Sequence, residues 1–245
     1  MNDTEWQEQK ERFRRLREEQ PENGEMWFEY ACLLSDHCDN PDLTAKAFEK
    51  AQQYLPEQDL RLRLGGAYAD AGEYDRGISL LKAYVQEKPC AHGYVFLSEA
   101  LRQADRIEEA KKSLETAISI EPTFEEPYFL LGRLVKEDSR ETALNYFRKA
   151  ISIHPDYQLA WHELGATLIK EEDTLEEGIE ALRRAISLNP EDGWSHEYLA
   201  IAFWKAGKLE DADAEYKRAI EAFPDYSLFK EYYADFLAIR NEELD

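Results

Sequence analysis

The chain has 245 residues, a formal charge of −22 from 30 basic and 52 acidic side chains, and an apolar share of 43% that includes 12% aromatic residues. Acidity of this size repels phosphate backbones and anionic bilayers, which excludes broad nucleic-acid binding and membrane-surface binding as expected functions. The aromatic content separates the chain from a disordered acidic tail, and no apolar run approaches the roughly 20 residues needed to span a bilayer.

The opening residues, Met1-Asn2-Asp3-Thr4-Glu5, are neither basic nor apolar, so no secretory leader is expected. Cys32, Cys38 and Cys90 are an odd number of thiols, expected to be reduced in a cytoplasmic protein. Residues 3–20 predict one helix with Trp6, Phe13 and Leu16 on one side and dense charge on the other.

Beyond that helix the sequence repeats. Pro21, Pro56, Pro89, Pro122, Pro155, Pro190 and Pro224 are spaced by 35, 33, 33, 33, 35 and 34 residues. The first unit carries Trp27, Tyr30-Ala31, Leu34, Phe48, Ala51 and Pro56. The second has Leu64-Gly65, Tyr68, Gly72, Gly77, Leu81, Tyr84 and Pro89, and the third Tyr94, Leu97-Ser98, Leu101, Ala110, Leu114, Ala117 and Pro122. The fourth has Tyr128, Leu131-Gly132, Val135, Ala143, Phe147, Ala150 and Pro155. The fifth has Trp161, Leu164-Gly165, Leu168, Leu182, Ala185 and Pro190, and the sixth Leu199-Ala200, Phe203, Gly207, Ala212, Tyr216, Ala219 and Pro224. Offsets of three and four put Trp27, Tyr30-Ala31 and Leu34 on one helical stripe. Small residues such as Gly165, Ala200 and Ala212 let two helices approach, and Phe48, Phe147 and Tyr216 fill the space above them. Proline fits a helix's first turn or the stretch just past its end. Acidic residues follow it at Glu22, Glu57, Asp156, Glu191 and Asp225 and suit the positive end of the next helix. Asp70-Ala71-Gly72 and Lys205-Ala206-Gly207 predict turns that use glycine's left-handed conformation. Length changes fall around Asp36–Asp42, Glu137–Arg140 and Lys170–Leu175.

These residues resemble the tetratricopeptide repeat, a 34-residue pattern of W-x2-L-G-x2-Y, then A-x3-F, then P. The match covers residues 24 to 224, departing from the pattern at Gly77 and Gly178, which stand where the family has a small Ala, and at Arg61, which stands where it has Trp. The resemblance implies an all-α, right-handed superhelical solenoid of antiparallel helix pairs. The units run 24–57, 58–90, 91–124, 125–157, 158–192 and 193–226. Capping helices in 1–23 and 227–245 complete one continuous domain of about 14 helices.

No chemistry of catalysis is legible. Gly65-Gly66 lacks the spacing of a phosphate loop, and no Ser or Cys stands in a nucleophile motif. His37 beside Cys32 and Cys38 lacks the second C-x-x-C pair of a zinc site. No catalytic residue, cofactor or metal is expected.

In proteins of this kind the first helix of each unit lines a groove. The row four places into each unit reads Phe28, Leu62, Val95, Phe129, His162, Glu197, and the row eight places in reads Cys32, Gly66, Glu99, Arg133, Ala166, Ile201. The last inner positions supply Arg102, Lys136, Lys170, Trp204 and Lys205. The expected guest is a protein or peptide segment with apolar side chains against the Phe28–Phe129 row and an acidic group against Arg102, Arg133 and Lys136. The bland alternative is that the row only packs neighbouring helices and the cations only balance Glu99, Glu126 and Glu137. The inner positions Phe28, Cys32, Leu62 and Gly66 do not carry the Lys–Asn clamp with which some family members hold chaperone tails. Leu228, Tyr232 and Ile239 on the last helix are expected either to form a dimer contact or to be covered by neighbouring residues. The expected function is a cytoplasmic adaptor or scaffold. A peptide-sensing regulator and an inhibitor that offers its acidic face to a basic partner are the alternatives.

Overall fold

The computed structural model describes residues 3–37 and 40–242; Cys38 lies outside them. The chain divides into two compact units, Met1–Pro122 and Thr123–Asp245. In the first, α1 (Asp3–Glu19) precedes three helix pairs: α2 (Gly24–His37) with α3 (Pro41–Tyr54), α4 (Arg61–Asp70) with α5 (Tyr74–Glu87), and α6 (Ala91–Gln103) with α7 (Ile107–Ile120). In the second, α8 (Glu125–Val135) pairs with α9 (Arg140–Ile153), α10 (Gln158–Leu168) with α11 (Leu175–Leu188), and α12 (Gly193–Lys205) with α13 (Leu209–Ala222), and α14 (Ser227–Glu242) follows. These are the fourteen helices the repeat implied, and the described residues contain no strand.

The proline ladder punctuates this order. Each of its seven prolines stands two residues past the end of a helix, from Pro21 after Glu19 to Pro224 after Ala222. A residue without an N–H is harmless there, because the helix has ended and the preceding cap N–H already bonds back four residues, as Lys88 does to the Tyr84 carbonyl. The turn inside a pair is built three times in one way. Gly72 and Gly207 take φ of 81° and 71°, and the next N–H reaches back five residues, Glu73 to Tyr68 and Lys208 to Phe203. In the third repeat Asp105 stands at φ 58° in the same turn, with Arg106 N–H bonded to the Leu101 carbonyl. A short polar side chain tolerates that strain better than a branched one. The fourth and fifth repeats use other devices: Ser139 caps α9, and a 3-10 turn at Glu172–Thr174 absorbs the extra length before α11.

The large residues of the repeat form the core. Leu81, Leu114, Phe147 and Leu182 are fully buried on their second helices, with Phe48 and Tyr216 nearly so. The alanines three places further on, Ala51, Ala117, Ala150, Ala185 and Ala219, are fully buried too. Each pair thus offers its neighbour a flat, small-residue face topped by a large side chain. First helices lie beside first helices, as α4 beside α6 and α10 beside α12. Second helices meet second helices through surface ion pairs, Arg76 with Glu49 and Arg148 with Glu177. The repeat interval returns as contact spacing: Gln103 bonds Asp70 33 residues back and Gln158 bonds Asp192 34 residues on. At the start, Phe13 of α1 is buried and stacks on Tyr30 at 4.9 Å, with Trp6 and Leu16 beside the same cluster.

The two glycines that departed from the family pattern have a steric reason. A Cβ on Gly77 would stand 2.6 Å from the Gly65 carbonyl oxygen, and one on Gly178 would stand 2.5 Å from Ile169 Cγ2. The helices of these pairs approach more closely than the family's alanine allows. Gly→Ala in a helix interior normally gains about 1 kcal/mol. Here the gain is overridden, and Gly77→Ala is expected to cost about 1–3 kcal/mol through overpacking against backbone. Urea unfolding should show a lower midpoint at unchanged slope, and a raised midpoint would mean that α4 and α5 part freely.

Candidate functional site

The apolar half of the predicted row is used mainly for packing. Val95 and Phe129 are buried, and Phe28 and Leu62 are half-buried. Phe28 meets Phe48 edge-on at 6.1 Å, and Phe129 meets Phe147 at 6.2 Å and Tyr157 at 5.1 Å. The predicted cations all have partners within the protein. Arg102 forms a forked pair with Glu99, at 2.5 Å for its shorter arm. Arg133 and Lys136 converge on Glu163 of the next repeat at 3.4 and 3.1 Å, and Lys170 lies 3.9 Å from Glu137. Lys205 donates to the Ile169 carbonyl at 2.8 Å. Arg102 lies in the first unit and the other four in the second.

His162 joins α10 to α12. Its Nδ1 donates to Ser195 Oγ at 2.9 Å, Ser195 donates to Asp192 at 2.5 Å, and Gln158 donates to the same carboxylate at 2.6 Å. Burial holds the imidazole's pKa below its ordinary value, with the Asp192 and Glu163 charges opposing, so His162 acts as a neutral donor.

The last repeat departs from the others. His196 takes the place of the repeat's tryptophan, and the geometry shows what that position does. Trp27 and Trp161 each donate their indole N–H to the carbonyl of the proline six residues earlier, at 2.8 Å. His196 Nε2 reaches the Pro190 carbonyl, also six residues earlier, at 3.0 Å, and its Nδ1 reaches Glu215 at 2.6 Å. Both ring nitrogens face acceptors, so both must donate. Burial pushes the pKa down, but the bonds to Glu215 and Pro190 outweigh it, and His196 titrates above its ordinary value. The signal was present in the sequence: His196 precedes Leu199-Ala200 by the same step as Trp27 precedes Tyr30-Ala31 and Trp161 precedes Leu164-Gly165.

One turn along α12 the row of apolar residues ends in Glu197. Its side chain is 4% exposed and borders a pocket of about 620 Å³ between α12 and α14. Tyr198, Trp204, Tyr216 and Tyr232 supply aromatic walls, and Asp235 a second carboxylate. Burial raises the Glu197 pKa to about 7. Tyr232 and Ile239, expected at a dimer contact, line this pocket and are 37% and 38% exposed; Leu228 is half-buried. Phe229 and Phe236 hold α14 down, both at 0% exposure, Phe236 against Tyr216 at 5.2 Å and Trp204 at 5.8 Å.

The remaining predicted features fall elsewhere. His37 stacks on Trp6 at 4.4 Å, and burial raises the Cys32 thiol's pKa. Among the described residues no group of three His, Cys, Asp or Glu side chains is placed to hold a metal, and no helix is long and apolar enough to cross a membrane.

Two tetratricopeptide repeat models match the chain, one at residues 40–92 and 199–245, the other at 91–124 and 159–192. The chain is 26% identical over 192 residues to the human protein O-mannosyl-transferase TMTC1, covering 76% of this chain and 22% of that protein. It is also 26% identical over 193 residues to the Pseudomonas aeruginosa TPR repeat-containing protein PA4667, covering 76% of this chain and 32% of that one. It therefore spans a third or less of the curated relatives it matches. Among solved structures, the APC/C hetero-tetramer Cut9–Hcn1 contains a chain that aligns at TM-score 0.72 and 18% identity, over 92% of this chain and 45% of that one. YrrB, described as a TPR protein with an unusual peptide-binding site, aligns at TM-score 0.56 and 19% identity, over 76% and 97%.

Proposed function

Because this chain belongs to the tetratricopeptide repeat family, we propose that it is a non-catalytic scaffold that holds a segment of another protein against the inner side of its first helices. The observation that supports this is the stripe Glu197, Tyr198, Ile201 and Trp204 of α12, which borders an open pocket between α12 and α14. Concave, mainly apolar pockets with a few polar groups are where proteins take ligands. YrrB supports the reading as a protein of the same fold described as having a peptide-binding site. The activity in the name of the human relative belongs to a protein of which this chain matches 22%.

Of the predicted apolar residues, the half-buried Phe28 and Leu62 of the first unit, and Trp204 of the second, are left to meet a guest, because Val95 and Phe129 are buried in packing. The guest's acidic group has to share Arg102 with Glu99, or Arg133 and Lys136 with Glu163, because those cations are already paired. Apolar contacts then contribute more to affinity than charge, and the ion pairs set orientation. Charge reversal of Arg133 and Lys136 to Glu places two more carboxylates beside Glu163. Capture of native partners by this variant is expected to fall about tenfold or more. A fold check by circular dichroism and the milder Arg133→Gln/Lys136→Gln variant accompany the measurement. Capture that both variants leave unchanged removes the inner-side reading. The inhibitor reading draws on the charge of −22 and has a separate mark: binding to a basic partner that weakens steeply with salt.

A further inference from the structure

We propose that the pocket between α12 and α14 receives a basic side chain, lysine or arginine, of the bound protein segment, with Glu197 and Asp235 as counter-charges and Tyr198, Trp204, Tyr216 and Tyr232 as walls. The inference deepens the scaffold reading and rests on it.

The chemistry starts from Glu197. A carboxylate on a residue that is 4% exposed is costly to keep ionised unless donors or a cation meet it. Among the described residues none does: its carboxylate has no hydrogen bond and no ion pair, and neither has that of Asp235. The other inner-side carboxylates behave differently, since Glu163 is met by two cations and Glu99 by one. The pocket thus holds an acidic group left with unfilled acceptors, facing a space of about 620 Å³. A neutral apolar occupant would leave those acceptors unfilled.

The walls narrow the choice. Four aromatic rings around two carboxylates favour a cation, because ring faces are negative and the site is partly dry. The cation must also carry N–H groups, since the acceptors of Glu197 need donors that a quaternary ammonium lacks. An ammonium or guanidinium on an alkyl stem satisfies both conditions: the stem packs on Ile201 and Trp204 and the head meets Glu197 and Asp235. Tyr216 is 2% exposed, and burial with the charges of Glu197 and Asp235 raises its pKa to about 12, so its phenol stays neutral. A protein segment is the source because Glu197, Ile201 and Trp204 occupy the register positions that the scaffold reading assigns to the guest.

The test uses the full chain and side-chain mimics. N-acetyl-lysine amide and N-acetyl-arginine amide are titrated while the indole N–H resonance of Trp204, assigned through Trp204→Phe, is followed by NMR. At least one of the two is expected to give a saturable shift confined to pocket residues, and N-acetyl-norleucine amide none. Glu197→Gln is expected to weaken binding about tenfold or more, the value of one charge-assisted hydrogen bond, and Asp235→Asn less. Asp235 lies at the exposed mouth, so that variant keeps the test decidable if Glu197→Gln does not fold. Equal binding of norleucine amide or of N-acetyl-trimethyllysine amide overturns the proposal, as does binding that ignores both substitutions. Binding of free 1,4-diaminobutane with no binding of either amide overturns the protein-segment source. A dimer that sediments as monomer after Tyr232→Glu makes a second copy the occupant and overturns it too. Partner capture that falls with Arg133→Glu/Lys136→Glu but survives Glu197→Gln and Asp235→Asn sinks this inference alone. Capture that survives all of them sinks the scaffold reading with it.

Discussion

A His196→Gln variant is expected to be about 3 kcal/mol less stable than the wild type at pH 6, the order of loss when one partner leaves a buried charged pair. His196 and Glu215 are 5% and 7% exposed, so neither can turn to water instead. Arg218 also bonds Glu215, which keeps the loss at the lower end of the range. The pH dependence gives the variant its signature. The folded-state pKa of His196 lies above the unfolded value of about 6.5, so the native state holds the proton longer than the unfolded chain does. The stabilisation is therefore fully present below about pH 6.5 and is lost as pH rises through the folded value. Urea titrations should show the gap between wild type and variant narrowing from pH 6 towards pH 9. A gap that widens would mean that the ring is neutral in the fold. Because repeats unfold locally, hydrogen exchange should speed first in α12 and α13.

The second large effect is Phe147→Ala, expected to cost about 3–5 kcal/mol. The ring is fully buried on α9 and packs against Phe129 and the bare backbone of Gly132. A Cβ on Gly132 would stand 2.5 Å from that ring, so Gly132→Ala alone is expected to destabilise. Removing the ring makes room for the methyl. The double variant should then be more stable than the sum of the two single losses predicts, by about 1 kcal/mol or more. Additive losses would show that the close approach of α8 and α9 does not depend on this pair.

The inner side shows where reasoning from the sequence stops. Rows spaced by one repeat were legible because the repeat length is written in the prolines, and Glu197 stood out as the polar end of an apolar row. What its carboxyl faces could not be read, because the pocket wall comes from α14, which belongs to no complete unit. The expected cationic strip met a different obstacle. Arg133 and Lys136 were assigned by their own helix's register, but their partner, Glu163, comes from the next first helix. A register within one helix names which side a residue faces and not what stands opposite. His196 was legible in principle, since it occupies the tryptophan position, but its bond to Glu215 depends on α13 bringing a carboxylate to the ring.

The sequence by itself determined the helices, their pairing and the large-on-small core, because period, proline spacing and residue size act locally and recur in six units. The tertiary structure alone decided the distance between paired helices at Gly77 and Gly178, the partners of the charged residues and the pocket beside Glu197. These depend on how close two backbones come and on which side chains arrive from other helices, and neither quantity has a period along the chain.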